Sequence, residues 1–243
     1  MRTDGFLSRI SALSAADAEA FDKARGGLPL GETDEGELVV AHREIAPDRY
    51  HHTCVTGGMK TEFISRLILT LACLYEKTEA AFLIISPDLS YGRFMRMQGA
   101  DVTVPFINGQ ADLDAALATI AALSASREGK ARTPKLFVVV DGIECFAADD
   151  KRATLECYRP FFEAVGTSGI ELITGVDLAQ TIFAGYPGAF VGVGNCLVTP
   201  ALGGEADVTY VNVDATMTPP KSFVYPSMPT VAESITFFNG ILE

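Results

Sequence analysis

Tryptophan is absent from the 243 residues, histidine occurs only three times, and the five cysteines contain no CxxC pair. The missing tryptophan excludes nothing by itself. The cysteine pattern (Cys54, Cys73, Cys145, Cys157 and Cys196) is odd in number and scattered, which argues against a disulfide framework and a structural zinc site. Reduced thiols in a cytoplasmic protein are the expectation. Basic residues are scarce: 19 Lys and Arg face 31 Asp and Glu, for a formal net charge of −12. No run of Lys or Arg is dense enough to make a local basic patch, so such a surface repels phosphate backbones and disfavours free nucleic-acid binding. A neutral or basic protein partner fits better. Long apolar runs are also lacking. The strongest apolar helical pattern, near residues 63–75, is interrupted by Ser65, Arg66 and Thr70 and reads as a core helix, not a membrane span. The beginning of the chain carries Asp4 and no apolar run, so it is not read as a secretory leader. No GxSxG or Cys–His arrangement points to a nucleophile. The pair His51-His52 would put its rings on opposite faces of a strand, and is read as polar residues at a strand end, not a metal site.

What is present is a large apolar fraction, 48%, in an alternating pattern. Residues 6–25 predict a helix with Phe6, Leu7, Ile10 and Leu13 on one stripe, stopped by Gly26-Gly27. Leu28–Glu37 reads as turn-rich, and Leu38–Ala41 as a short strand. His52–Val55 then predicts a strand, Lys60–Tyr75 a helix, Ala81–Ser86 a strand, Leu89–Met97 a helix, Val102–Val104 a strand and Leu113–Ser126 a helix. Leu136–Val140, ending at Asp141, reads as a strand apolar on both faces. Leu155–Gly166 and Leu178–Phe183 predict helices, and Ile170–Thr174, Leu197–Thr199 and Val208–Val213 predict strands. Gly185–Gly194 reads as a loop and short strand. Phe161-Phe162 is read as core packing. Doubly buried strands alternating with amphipathic helices predict an α/β fold, a mainly parallel sheet with helices on both faces. Three regions are expected: a helical extension over 1–26, the α/β domain over 27–218, and a proline-rich tail over 219–243 lying extended on the domain with a short helix near Val231–Leu242.

One segment carries chemistry. Cys54-Val-Thr-Gly-Gly-Met-Lys-Thr61 lies between a strand and a helix, the setting of a phosphate-binding loop G-x-x-x-x-G-K-[ST]. There, backbone N–H groups and a helix N-terminus converge on phosphate oxygens, the lysine adds charge, and the hydroxyl helps hold Mg²⁺. Lys60 and Thr61 stand in the lysine and hydroxyl places, and Gly57 and Gly58 supply loop backbone. Cys54 and Met59 occupy the places of the two signature glycines. A side chain forced to positive φ there costs about 1–2 kcal/mol, and Met59 is expected to project into the phosphate space. About eighty residues on, Asp141 ends an apolar strand, where P-loop proteins place the acid that supports Mg²⁺. The next position, which often holds a water-activating glutamate, is Gly142; Glu144 lies three residues past the acid. Either feature alone is also what an ordinary core strand or turn gives. Their order, with strand–helix–strand units between, is what points to a nucleotide site.

With these residues in view, the chain resembles the FtsK/SpoIIIE family, and most of all the C-terminal ATPase domains of the EccC/EssC type VII secretion motors. The resemblance runs from about Gly27 to Val213, through LPLGETDEGEL, HHTCVTGGMKTEFISRLILTLACLY, AFLIISPD, LFVVVDGIECF and FEAVGTSGIELIT. It implies a RecA-like P-loop fold, ATP and Mg²⁺ at the loop, side-by-side assembly into a ring, and work on DNA or secreted proteins. Active members show Gln-Arg after the last of these strands, where this chain has Gly175-Val176. Losses at the loop, the glutamate place and this strand end predict weak or absent hydrolysis. The resemblance then assigns Gly57, Gly58, Met59, Lys60, Thr61 and Asp141 to a nucleotide-binding set, with Thr61 and Asp141 holding Mg²⁺ if nucleotide binds. No arginine finger is assigned, since Arg66, in the helix after the loop, reads equally well as an exposed salt-bridge partner. The expected role is a protein-binding or assembly module whose partners are a secreted substrate or other ATPase domains of the same machine, reached at the membrane through contacts. An active motor using Glu144 as base is the alternative. A DNA translocase subunit is disfavoured by the charge.

Overall fold

The computed structural model describes residues 5–33, 35–42, 44–46, 49–50, 52–87, 90–127, 134–142, 161, 170–176, 193–199, 207–212, 221–224, 235 and 239. The first helical stretch is two helices, α1 (Gly5–Ala16) and α2 (Ala18–Gly26), where the sequence predicted one. Asp17 makes the break. Its backbone is extended at φ −155°, and its carboxylate accepts from the Ala20 N–H at 2.9 Å, capping α2. The stretch expected to be turn is strand β1 (Gly27–Glu32), paired antiparallel with β2 (Leu38–His42). Leu28 and Leu30 are buried on it. Pro29 cannot donate to a ladder, and the register shifts between Pro29 and Gly31.

Most of the remaining described strands build one wide sheet. A small hairpin, β3 (Glu44–Ala46) and β4 (Arg49–Tyr50), leads to β5 (His52–Gly57), α3 (Lys60–Leu74), β6 (Ala80–Ile85), β7 (Asp101–Thr103), α4 (Gln110–Arg127), β8 (Lys135–Asp141), β9 (Ile170–Gly175), β10 (Val193–Thr199), β11 (Asp207–Asn212) and β12 (Lys221–Val224). The strand order is β2-β1-β12-β11-β10-β5-β9-β8-β6-β7. Every pairing from β10 to β7 is parallel and every pairing from β2 to β10 is antiparallel. The sequence read residues 221–224 as an extended segment lying on the domain; they form a strand inside the sheet, between β1 and β11. The helix expected over Leu89–Met97 is a short 3₁₀ turn, Gly92–Arg96. Of the helix expected near 231–242, Ile235 and Asn239 are described and are helical. The helices expected over 178–183 and, apart from helical Phe161, over 155–166 lie outside the described residues.

Burial explains the layers. Strand residues alternate between two apolar clusters, because successive side chains point to opposite faces. On one face Val55, Phe137, Val139, Ile173 and Leu197 pack with α1 and α3 residues such as Leu7, Ile64 and Leu67. On the other, Cys54, Val138, Val140 and Leu172 pack with Leu113, Leu117 and Ile120 of α4, and with Phe161. Each such side chain contributes roughly 1.5–3 kcal/mol by leaving water. Arg66 of α3 corrects an expectation: it is 2% exposed, and its guanidinium lies 5.1 Å from the Phe6 ring centroid. A helix covered by α1 has no solvent side at that position, so the long side chain lies under an aromatic ring.

Candidate functional site

Strand β5 does not stop where a phosphate loop would begin. Its pairing with β10 continues through Cys54↔Cys196, Val55↔Leu197 and Thr56↔Val198 to Gly57↔Thr199. On its other edge Val55 pairs with Gly175 of β9, and its carbonyl accepts from the Val176 N–H at 3.0 Å. Cys54, at the first signature-glycine place, is therefore a buried strand residue. Only Gly58 and Met59 separate β5 from α3. Gly57 carries the backbone demand of this turn. Its φ is +104°, and a Cβ there would sit 2.1 Å from the Thr199 carbonyl oxygen.

Met59 departs from the backbone expectation placed on it. Its φ is −108°, an ordinary value for a side-chain-bearing residue, so no left-handed strain arises. Its side chain is partly buried, packed against the apolar cluster that includes the α3 residues. Its N–H donates to the Thr199 hydroxyl at 3.2 Å, and that hydroxyl donates to the Thr56 carbonyl at 2.8 Å. Thr199 thus ties the end of β10 to the turn. Sequence reading gave Thr199 no role, since a threonine closing a strand carries no distinguishing signal.

Beyond the turn, Lys60 and Thr61 open α3 and face the end of β8 across β9. Lys60 Nζ donates to Asp141 Oδ1 at 2.5 Å, and Thr61 Oγ1 to Asp141 Oδ2 at 2.6 Å. A third donor, the Tyr91 hydroxyl, reaches the same Oδ2 at 2.9 Å. Asp141 is 3% exposed and Lys60 20%. A buried carboxylate is costly unless a cation and hydrogen bonds compensate it; here it has both, at the positive end of a helix. Tyr91 was missed in the sequence. It is fully buried at the start of the 3₁₀ turn, and a buried tyrosine hydroxyl ordinarily seeks a partner, but nothing in the sequence says which.

Gly175 lets the acid sit there. A Cβ on Gly175 would lie 2.1 Å from Asp141 Oδ1 and 2.8 Å from Ile64 Cδ1. The residue after the acid, Gly142, has φ +75°, and its N–H donates to the Gly175 carbonyl at 3.0 Å. Glu144 lies outside the described residues. The structure therefore brings Lys60, Thr61 and Asp141 together, while Gly57, Gly58 and Met59 shape the turn that leads to them.

For a magnesium nucleotide the fit is partial. Lys60, Thr61 and Asp141 are the right donor types, one lysine, one hydroxyl and one carboxylate. The converging backbone cradle does not fit: residues 54–57 are laddered into the sheet and the Met59 N–H is taken by Thr199. Elsewhere, His52 Nε2 lies 2.8 Å from Thr174 Oγ1, and burial lowers its pKa from 6.5 to about 3, so the imidazole is neutral. Among the described residues no group of three His, Cys, Asp or Glu is placed to hold a metal ion, and no helix is long and apolar enough to cross a membrane.

No family model matches the chain, and neither does any curated protein. Solved structures do. The cytoplasmic domain of the Thermomonospora curvata type VII secretion ATPase EccC superposes with TM-score 0.56 at 15% identity, over 83% of this chain and 26% of that one. Its ATPases 2 and 3, in complex with a signal sequence peptide, give TM-score 0.57 at 15% identity, over 83% and 41%. A structure described as an ATPase gives 0.61 at 16% identity, over 90% and 94%. The pCW3 conjugation coupling protein TcpA, in its monomer form with ATPγS, gives 0.56 at 12% identity, over 93% and 73%. The chain spans about a quarter of the EccC cytoplasmic domain. The fold is α/β and RecA-like, shared with these ATPase structures.

Proposed function

We propose that this RecA-like domain is a protein-binding or assembly module of an export or translocation machine, with nucleotide hydrolysis weak or absent. One observation carries the reading: both groups suited to phosphate and magnesium, Lys60 and Thr61, are bonded to the chain's own Asp141. A ligand must displace that carboxylate and must do so without a backbone cradle. The cost of breaking a buried, triply bonded pair comes off its affinity. The departure at Gly142 adds to this, because no carboxylate stands directly after Asp141 to activate water.

The partner reading rests on likeness. The EccC structure that holds a signal sequence peptide shares this fold, and it supports a secreted substrate, or a neighbouring ATPase domain in a ring, as the partner. The net charge of −12 keeps free DNA out of the reading. A cytoplasmic location, with attachment to the membrane through partners, goes with it. The retained Lys60–Thr61–Asp141 juxtaposition favours one second reading, an active motor in which the three groups part to receive ATP·Mg²⁺.

Isothermal titration with ATP·Mg²⁺, paired with phosphate release, separates the two. The module reading expects a dissociation constant well above the micromolar range and release at the buffer rate. Micromolar affinity together with turnover that disappears in Lys60→Ala would establish the motor and sink the module.

A further inference from the structure

The two edges of the wide sheet are unlike. At one, β7 has three residues and exposes Asp101, a charge that discourages a further strand. At the other, among the described residues β2 has a strand on one side only, β1. Its five residues, Leu38-Val-Val-Ala-His42, include no proline and no Asp, Glu, Lys or Arg, the usual means of blunting an edge. Leu38, Val39 and Val40 are each only partly buried. An outer strand directs alternate N–H and C=O groups away from its sheet, and such groups template a further strand.

We propose that β2 is a self-pairing edge, joined antiparallel to β2 of a second copy of this chain about a two-fold axis through Val40. The strand's own sequence selects this occupant and this register. With Val40 facing its counterpart, Val39 falls opposite Ala41 and Leu38 opposite His42, so the paired stretch brings no like charges together. The charges that bracket it are then complementary: Glu37, exposed just ahead of β2, falls opposite Arg43, the residue that follows it in the chain, and does so twice by symmetry. An axis one residue earlier sets Asp34 against Glu44; one residue later sets Arg43 against Val39 and Glu44 against Leu38. Two copies that each carry −12 repel at long range, so approach needs a seam of this kind, free of acids and closed by opposite charges. A five-residue ladder covers less than the roughly 1,200 Å² of a stable interface, and the pairing is therefore an equilibrium that follows concentration. It does not depend on whether nucleotide binds at Lys60.

Sedimentation equilibrium of the full chain reads the pairing as an average mass that rises with concentration from monomer toward dimer. Glu37→Arg sets like charges opposite each other at both ends of the seam and should weaken the dimer about tenfold; adding Arg43→Glu should restore it. Glu37 is exposed and closes the hairpin with Thr33 through its backbone, so the single variant leaves the fold intact. Val40→Cys brings two thiols together at the axis and should give a covalent dimer under oxidised glutathione. The parent protein, and Thr103→Cys on the exposed opposite edge, should not. A parent that stays monomeric at every concentration overturns the inference and leaves the edge to a strand of another protein. A dimer as tight in Glu37→Arg as in the parent, a double variant that recovers nothing, or a Val40→Cys that cross-links no faster than Thr103→Cys also overturns it, because the copies then meet through another face or register.

Discussion

Replacing Asp141 by asparagine asks whether the acid serves the fold or a ligand. The change keeps the shape and one acceptor oxygen but removes the charge that three donors share. Lys60, only 20% exposed, then keeps its cation without a counter-charge at 2.5 Å. Removing one partner of a fully buried ion pair costs about 3–5 kcal/mol. Lys60 retains some access to water, and the asparagine oxygen can still accept from one donor, which reduces the expected loss to about 2 kcal/mol. Urea unfolding by linear extrapolation at pH 7 resolves a change of that size, provided the slope m is unaltered. The companion Lys60→Met variant and the double variant complete a cycle, whose coupling should be at least about 1 kcal/mol. An acid maintained for a bound ligand behaves in the opposite way, because its removal relieves a site held at the expense of stability. A variant Asp141→Asn as stable as the parent, or more so, would refute the claim that the cluster is a closed internal pair.

Three further outcomes follow from the same geometry. Burial holds His52 neutral with a pKa near 3, below its ordinary 6.5; protons therefore favour the unfolded chain, so its contribution is complete above pH 6.5 and lost as pH falls toward 3. The expected loss is about 1.4 kcal/mol per pH unit in that window, and urea midpoints between pH 7.5 and 5 should fall less steeply in His52→Gln. Gly57→Ala places a Cβ against the Thr199 carbonyl at φ +104°, which should cost about 2 kcal/mol or more in the same unfolding assay; parent-like stability would show that the turn is not built as described. Gly175→Ala pushes a methyl onto Asp141 Oδ1 and is expected to displace the carboxylate, visible as faster acylation of Lys60 and a loss of about 1–3 kcal/mol; a slow, unchanged Lys60 would contradict it.

The strands of the parallel half, the helix α3 and the acid at the end of β8 were legible in the sequence because each rests on a local pattern: doubly apolar runs of five or six residues, a 3.6-residue apolar stripe, and a charged residue closing an apolar strand. Lys60, Thr61 and Asp141 were legible as a set for the same reason, since the order strand, turn, Lys-Thr, and later acid is written along the chain. What the pattern could not convey was where β5 ends. Whether residues 54–57 are loop or strand depends on β10, about 140 residues away, offering Cys196–Thr199 as a partner, and no local propensity records that. Met59 belongs to the same class. Its side chain lies against the core because the turn is only two residues long, so the positive φ expected of that place is carried by Gly57. Residues 28–37 read as turn-rich because Pro29, Gly31 and Gly36 punctuate them, yet 28–32 belong to a strand because β2 and β12 flank them in the sheet.

The sequence by itself determined the α/β class, the alternation of elements and the identity of the cation, the hydroxyl and the acid, since these follow from side-chain type and period. Tertiary structure alone decided that the three meet one another, that Tyr91 joins them from the start of the 3₁₀ turn, and that Gly175 clears the space, because such contacts arise only when strands distant in the chain are hydrogen-bonded side by side and their carboxyl ends converge.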